Sequence, residues 1–586
     1  MQKFVDKIAK HLIESNIPLQ QWVIILPTER AKSYIQKALF EKINKPFFAP
    51  KTITINNWIN SLTSKIVLDK TRLLLELYAV HISHPDKSID ISFEEFLNWG
   101  NLLLNDFDEL ERFLVNPKEL FKNLKDVKDL EYWSFGEDKE LTENQKKYLA
   151  FWERLAFYYN EFQKNLKTKN STTIGAAYRE VSENIDLVFK NNKNTHFLFA
   201  GFNALSKAET VIFKQIHQLG RGEILIDADE YYFNDLNHEA GLFLRKLKAD
   251  LNLKSINYCE NSIVNQTKYI SLISCSQITG QVKAISSKLS ELTENEVNET
   301  LILLADESLI VPLIQNIPKN VKKANITLGL PLGSTALKTW VELIFSIQEG
   351  KVKYKRDTIY YKDLLACWNH PFFQEILSDQ EKEFIYKKEK NIHSKNLIFQ
   401  SLNSIKINSK IDELMAFIFC PWNNSWDLAL KTIREMNHFI YEKLPISNEF
   451  ERAILQSFDA SIIDFQNCVE TEFPEMNLKC FKILFNQTWS KENIAYYGNP
   501  IEGLQIMGLL ETRLLDFKRI FIVGMNEGKM PPSNPIQTLI PMDLRRYFDM
   551  PSPREKQGLF AHHFYRLLHH CEELTITYFN GAEGYS

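Results

Sequence analysis

Phosphate chemistry leaves the most recognisable spacing in a sequence, and here that spacing is missing. A loop that cradles nucleotide phosphates needs glycines for backbone N–H donors, a lysine, and a Ser or Thr for magnesium. The only Gly-Lys pairs are Gly350-Lys351 and Gly528-Lys529, and neither is followed by Ser or Thr. The apolar run His196 to Ala200 leads into Gly201-Phe202, with no acidic pair there to hold magnesium. Asp227, Asp229 and Glu230 follow the next apolar run and read as turn and capping residues. His562, His563, His569 and His570 fall on one predicted helix, where positions 562, 566 and 570 share a face. They have no acidic or thiolate partner at zinc spacing, and HExxH is absent, so a structural role is expected. Pro85-Asp86 lacks a following strand with a carboxylate–lysine pair, so it reads as a loop rather than a nuclease centre. The seven cysteines contain no CxxC and read as thiols in a reducing compartment. No cofactor or metal is expected in this chain.

Nucleic-acid contact is the other chemistry to weigh. The chain carries 70 basic and 74 acidic residues, a net charge of −4, so any such contact must be local. Thr28, Arg30 and Lys32 follow the first apolar run, where phosphate contact and a solvated helix face are both open. Arg513 could likewise contact phosphate, with a salt bridge to Glu511 or Asp516 as the competing reading. Trp58, Trp99 and Trp133 could stack on bases, but their helical spacing favours core positions.

The elements that must position these residues alternate between two characters. Gly (19) and Pro (20) are scarce, which favours long helices over turn-rich sheets. Phe4, Ile8 and Leu12 predict an N-terminal helix. That segment has no unbroken apolar core, so no signal peptide is expected. No apolar run approaches a membrane span, and a cytoplasmic protein is expected. Val23 to Leu26 predicts a strand buried on both faces, with Thr28 capping the next helix. Thr52 to Ile55 predicts a second strand, with Asn56 as a cap. Further strands are expected at His196 to Ala200, Glu223 to Asp227, Lys268 to Ser274, Thr300 to Leu304 and Asn325 to Leu328. Gly503 to Gly508, Arg519 to Gly524 and Leu574 to Phe579 complete the set. Strands alternating with helices imply parallel sheets. The boundaries are then 1–66 with 191–265 for a first α/β core and 266–334 with 492–586 for a second. Helical insertions at 67–190 and 335–491 interrupt them.

The block GLQIMGLLETRLLDFKRIFIVGMNEGKMPP, from Gly503 to Pro532, carries a family resemblance. It resembles the fifth helicase motif and following strand of the degenerate AddB and RecC family. Gln505, Met507, Arg513, Gly524, Met525, Asn526 and Gly528 are among the matching positions. Leu26 to Ala31, Phe199 to Glu209, Ile540 to Arg546 and Arg554 to Tyr578 add to the likeness. The resemblance implies an α/β fold with two RecA-like parallel-sheet cores of superfamily-1 helicase type, each with a large helical insertion. It implies a non-catalytic DNA-binding subunit of an AddAB- or RecBCD-like complex that processes double-strand breaks for recombinational repair. The expected partners are DNA, as a duplex end or a single strand, and an AddA-like helicase–nuclease, with no membrane. Thr28, Arg30, Lys32, Gln505, Arg513 and Asn526 become the candidate DNA contacts. The sixth-motif region should present an arginine to a nucleotide; its nearest match is His569-His570-Cys571, with Arg566 one turn earlier. Two alternatives remain open. The chain could be the helicase-like part of a nuclease whose PD-(D/E)XK domain lies beyond Ser586, or a protein–protein scaffold without DNA contact.

Overall fold

The computed structural model describes residues 2–43, 45–86, 91–133, 143–190, 194–327, 329–354, 358–469, 476–494, 501–533 and 536–581. Its first sheet grows from the Trp22–Leu26 strand, β1. All five of its side chains are buried: Val23 and Ile25 join the core on one face, Trp22, Ile24 and Leu26 the core on the other. Helix α1 (Phe4–Glu14) lays Phe4, Ile8 and Leu12 on the second of these faces, at the spacing the sequence predicts. After β1 come α2 (Arg30–Lys42) and β2 (Lys51–Thr54). The sheet resumes beyond the first insertion with β3 (His196–Ala200), α3 (Lys207–Gln218) and β4 (Gly222–Leu225). The order is β2-β1-β3-β4, parallel throughout. A short parallel pair follows, β5 (Asp227–Asp229) with β6 (Tyr258–Glu260), and α4 (Leu242–Asp250) lies between them.

The second sheet is also parallel throughout. Its strands are β7 (Tyr269–Cys275), β8 (Thr300–Leu304), β9 (Ala324–Ile326), β10 (Leu504–Met507), β11 (Arg519–Val523) and β12 (Glu573–Phe579), in the order β9-β10-β8-β11-β12-β7. β8 is buried on both faces, as a central parallel strand must be. Helix α5 (Pro553–Leu567) precedes β12, and Leu567 and Cys571 pack onto this sheet.

Strand membership follows the expected segments, and the described residues of 67–190 and 335–491 are mostly helical. Compactness divides the chain differently from the sequence reading. Both sheets and most of the first insertion form one unit (Met1–Asp90, Gly100–Leu328, Tyr496–Ser586), and Ile91–Trp99 with Gly329–Ala495 forms another. No helix among the described residues is long and apolar enough to cross a membrane.

Two expected caps are corrected. Glu29, not Thr28, takes the N-cap position of α2, already in helical conformation and without a side-chain cap bond. Asn56 lies inside the Ile55–Leu62 helix and accepts a hydrogen bond of 2.8 Å from the Tyr178 hydroxyl. Trp58 is core, set against Phe197 and Phe199 of β3. Trp99 packs edge-on to Phe96, while the Trp133 side chain lies outside the described residues.

Gly201 ends β3 and holds the two sheets' elements close together. Its φ is +78°, and a Cβ there would sit 2.3 Å from Leu514 Cδ1. Gly201→Ala therefore meets both a disfavoured backbone region and a clash. We expect urea unfolding to show a loss of about 2–4 kcal/mol. Gly201→Ala with Leu514→Ala should relieve the clash but keep the backbone strain. Equal stability of Gly201→Ala and the parent would contradict this packing.

Candidate functional site

Where β1 ends, the chain turns through Pro27 and Thr28 into α2. Thr28, Glu29 and Arg30 then line an open pocket of about 330 Å³, with Glu511 from the segment after β10 on the other side. Thr28 Oγ1 and Arg30 Nη1 are buried and have no hydrogen-bond partner among the described residues. Burial lowers the Arg30 pKa from its ordinary value, against the pull of Tyr34 and Glu511. Burial pushes the Tyr34 hydroxyl up to about 12. It also pushes the Glu511 carboxyl up, with Glu307 adding to the effect. Glu29 is tied to Asn57, whose amide donates to it at 3.1 Å. The pocket thus offers unsatisfied donors next to two carboxyl groups.

The other predicted contacts are placed differently. Lys32 lies half-buried on α2 and is not part of this pocket. Arg513 pairs with neither Glu511 nor Asp516; its Nε donates to His563 Nε2 at 3.2 Å. Gln505 is a core residue of β10. Its Oε1 accepts from Asn325 at 2.8 Å, and its amide donates to the Glu502 and Gly503 carbonyls. Asn526 clasps the end of β12, donating to the Phe579 carbonyl at 2.8 Å and accepting from the Phe579 N–H at 3.2 Å. Gln505 and Asn526 have therefore spent their polar groups inside the fold.

The strongest polar constellation lies between the two sheets, and the sequence reading misplaced its first member. Asp227 is not a turn residue but a buried ion partner. Arg566 Nε reaches Asp227 Oδ2 at 3.1 Å, and Arg566 Nη2 reaches Asp516 Oδ1 at 2.9 Å. The second contact is poorly aligned for a hydrogen bond, so it acts as charge attraction. Arg566 Nη1 donates to the Leu515 carbonyl. Asp516 also accepts the Phe4 N–H of α1 at 2.8 Å. His569 meets the Tyr232 hydroxyl at 3.0 Å and stands 3.6 Å from Asp227, while His570 stands 3.9 Å from Asp516. The Arg566 side chain is 5% exposed and that of Asp516 1%.

Burial alone would raise the Asp227 carboxyl, but Arg566 and then His569 hold it well below the usual carboxylate range. Burial would weaken the Arg566 charge, and Asp516 and Asp227 restore it. Asp229 does cap, accepting from the Tyr231 and Ser262 N–H groups. The four histidines form no metal cluster; no such group occurs among the described residues. His562 instead meets the Ala240 carbonyl at 3.3 Å. Asp86 is paired with Arg154. Tyr232 escaped the sequence reading because its partner His569 lies 337 positions away, and Asp516 serves Arg566 rather than Arg513. No protein-family model matches the chain, and no curated protein matches it.

Arg566→Met would leave two carboxylates buried and unpaired. We expect a loss of about 3–5 kcal/mol in urea unfolding. Adding Asp227→Asn and Asp516→Asn should recover part of it. A single-variant cost under about 1 kcal/mol would remove this network as a structural tie.

The histidines give a pH signature. Burial pushes His562 down to about 3 and also lowers His563 and His570. The unfolded chain binds these protons near about pH 6.5, while the folded chain resists them. Their stabilisation is full above that pH and is lost as pH falls towards the folded values. The urea midpoint should fall from about pH 7 to about pH 5, with His562 alone contributing about 2 kcal/mol at the lower end. His562→Gln should flatten the slope, and an unchanged slope would contradict the assignment.

Proposed function

We propose that the chain is a non-catalytic, helicase-like DNA-binding subunit, related to AddB and RecC, that works with an AddA-like motor in processing DNA ends. In this reading the two parallel sheets are the two RecA-like cores. The observation that carries the DNA contact is the pair of unsatisfied buried donors at the end of β1, Thr28 Oγ1 and Arg30 Nη1, in an open pocket. Loops at the carboxyl ends of parallel strands are where α/β folds place ligands. A phosphate oxygen is an acceptor that both donors could use. Support for a passive role comes from Arg566. It belongs to the region where the resemblance expects an arginine facing a nucleotide, yet it is held by Asp227 and Asp516. The sequence also offers no phosphate-cradling loop.

Arg30 is the contact we favour, with Thr28 beside it and Lys32 and Arg513 as flanking basic residues. Gln505 and Asn526 are not carried forward. Glu29 and Glu511 line the same pocket and favour the second reading, a protein scaffold without DNA contact.

Fluorescence anisotropy of the whole chain with a labelled single strand and a blunt duplex end separates the two. The DNA reading expects affinity to fall linearly with salt on logarithmic axes, from about 50 to about 300 mM. It also expects Arg30→Glu to weaken binding by about tenfold or more. No binding at low salt would favour the scaffold, and an Arg30→Glu variant that binds like the parent, or binding that ignores salt, would overturn the phosphate contact at the end of β1.

A further inference from the structure

A second cavity in the sheet-bearing unit is separate from the proposed DNA contact. It is a pocket of about 790 Å³. α3 and α4 wall it on the side of the first sheet, and the stretch from Asp549 into α5 walls it on the other. That volume falls within the range of sites for small organic ligands. Phe113, Val211, Phe243, Met550 and Leu559 make much of its lining apolar.

The polar groups on its wall are not evenly satisfied. Lys207, Val211 and Lys214 fall along one stripe of α3, so two ammonium groups flank an apolar patch. Neither Lys207 nor Lys214 has a hydrogen-bond or ion-pair partner among the described residues. The acids on the wall are partly committed. Glu109 is held by Arg545 at 2.6 Å, and Glu555 is held in the capping box of α5 with Ser552. Asp250 and Asp549 also line it. Asn203 is 5% exposed; its Oδ1 accepts the Ala204 N–H at 2.7 Å, and its Nδ2 has no partner among the described residues. A buried amide donor without an acceptor costs stability, which a bound acceptor would recover. The first turns of α3 and α5 carry their own capping boxes, so the attraction for an anion rests on the lysines and the amide rather than on the helix ends.

We infer that this pocket binds a small organic anion with an apolar, preferably aromatic, body. Lys207 and Lys214 hold its acidic group, the Asn203 amide donates to it, and Phe113, Phe243 and Leu559 cover the body. Because the walls come from both sides of the sheet junction, such a ligand stabilises that junction when bound. The inference does not depend on DNA binding.

The test uses 8-anilinonaphthalene-1-sulfonate as the probe on the whole chain, read by calorimetry and by fluorescence. One saturable site per chain is expected, with a rise in the thermal midpoint as the dye is added. Lys207→Glu with Lys214→Glu should weaken binding by about tenfold or more, and Val211→Trp should block it by filling the pocket. The uncharged analogue N-phenyl-1-naphthylamine should bind more weakly and ignore the lysine changes. Dye binding that is unaffected by the lysine pair, or no saturable binding up to about 1 mM, would overturn the site. If Val211→Trp does not fold, the lysine pair decides alone, since those changes lie at the surface. Displacement of the dye by a single-stranded oligonucleotide would make the pocket part of a DNA surface and overturn a separate small-ligand site.

Discussion

One buried guanidinium ties the sheet-bearing unit together. An arginine cannot lose its proton inside a protein, so Arg566 must be matched by charge wherever it is buried. It is matched from two directions. Asp227 follows the last strand of the first sheet, and Asp516 precedes β11 of the second. Arg566 itself stands on α5, which packs against the second sheet. The same carboxylate that holds Arg566 also accepts the first backbone donor of α1, so the N-terminal helix is tied to the same point. Apolar packing follows the same path, with Leu514 filling the space that Gly201 leaves open and joining the core beneath β1. Any rearrangement that parts the sheets must therefore strip a buried ion network and open a packed contact together.

Much of the fold is legible in the sequence because its strands are short apolar runs with clear ends. HFLFA and TLILL coincide with observed strands, and each has at least four fully buried residues that no helix surface would require. The helical insertions are legible because their apolar residues recur at helical spacing. What the sequence does not carry is partnership over distance. Thr28 and Asn56 have the chemistry of caps, but the backbone places the N-cap one residue later at Glu29 and two residues earlier at Thr54. Asp227 has the local signature of a turn residue, and its partner lies 339 positions further on.

The same gap governs the candidate site. Gln505 and Arg513 look equivalent in sequence: polar residues in the block that carries the resemblance. In the fold, Gln505 points along a central strand where each of its amide atoms must find an internal partner, and Asn325 on the neighbouring strand supplies one. Arg513 lies after that strand, and among the described residues its acceptor is the neutral His563. A residue type alone therefore cannot separate a ligand contact from a core bridge. Its position relative to the strand's end can, because backbone pairing and burial stop there together.

Charge arithmetic at the junction constrains where an anionic polymer could lie. The guanidinium at the junction is already taken up by Asp227 and Asp516, and burial drives His562, His563 and His570 towards their neutral forms. A phosphate brought into the junction would find that guanidinium already matched and would lie against two acidic side chains at low dielectric, where repulsion is strongest. The loop after β1 is different. Its arginine keeps an unsatisfied Nη1, and burial pushes the facing Glu511 towards its uncharged form, which reduces the acid's repulsion of an anion. A strand of DNA bound to this chain would therefore run across the carboxyl end of β1, at the rim of the junction and not within it.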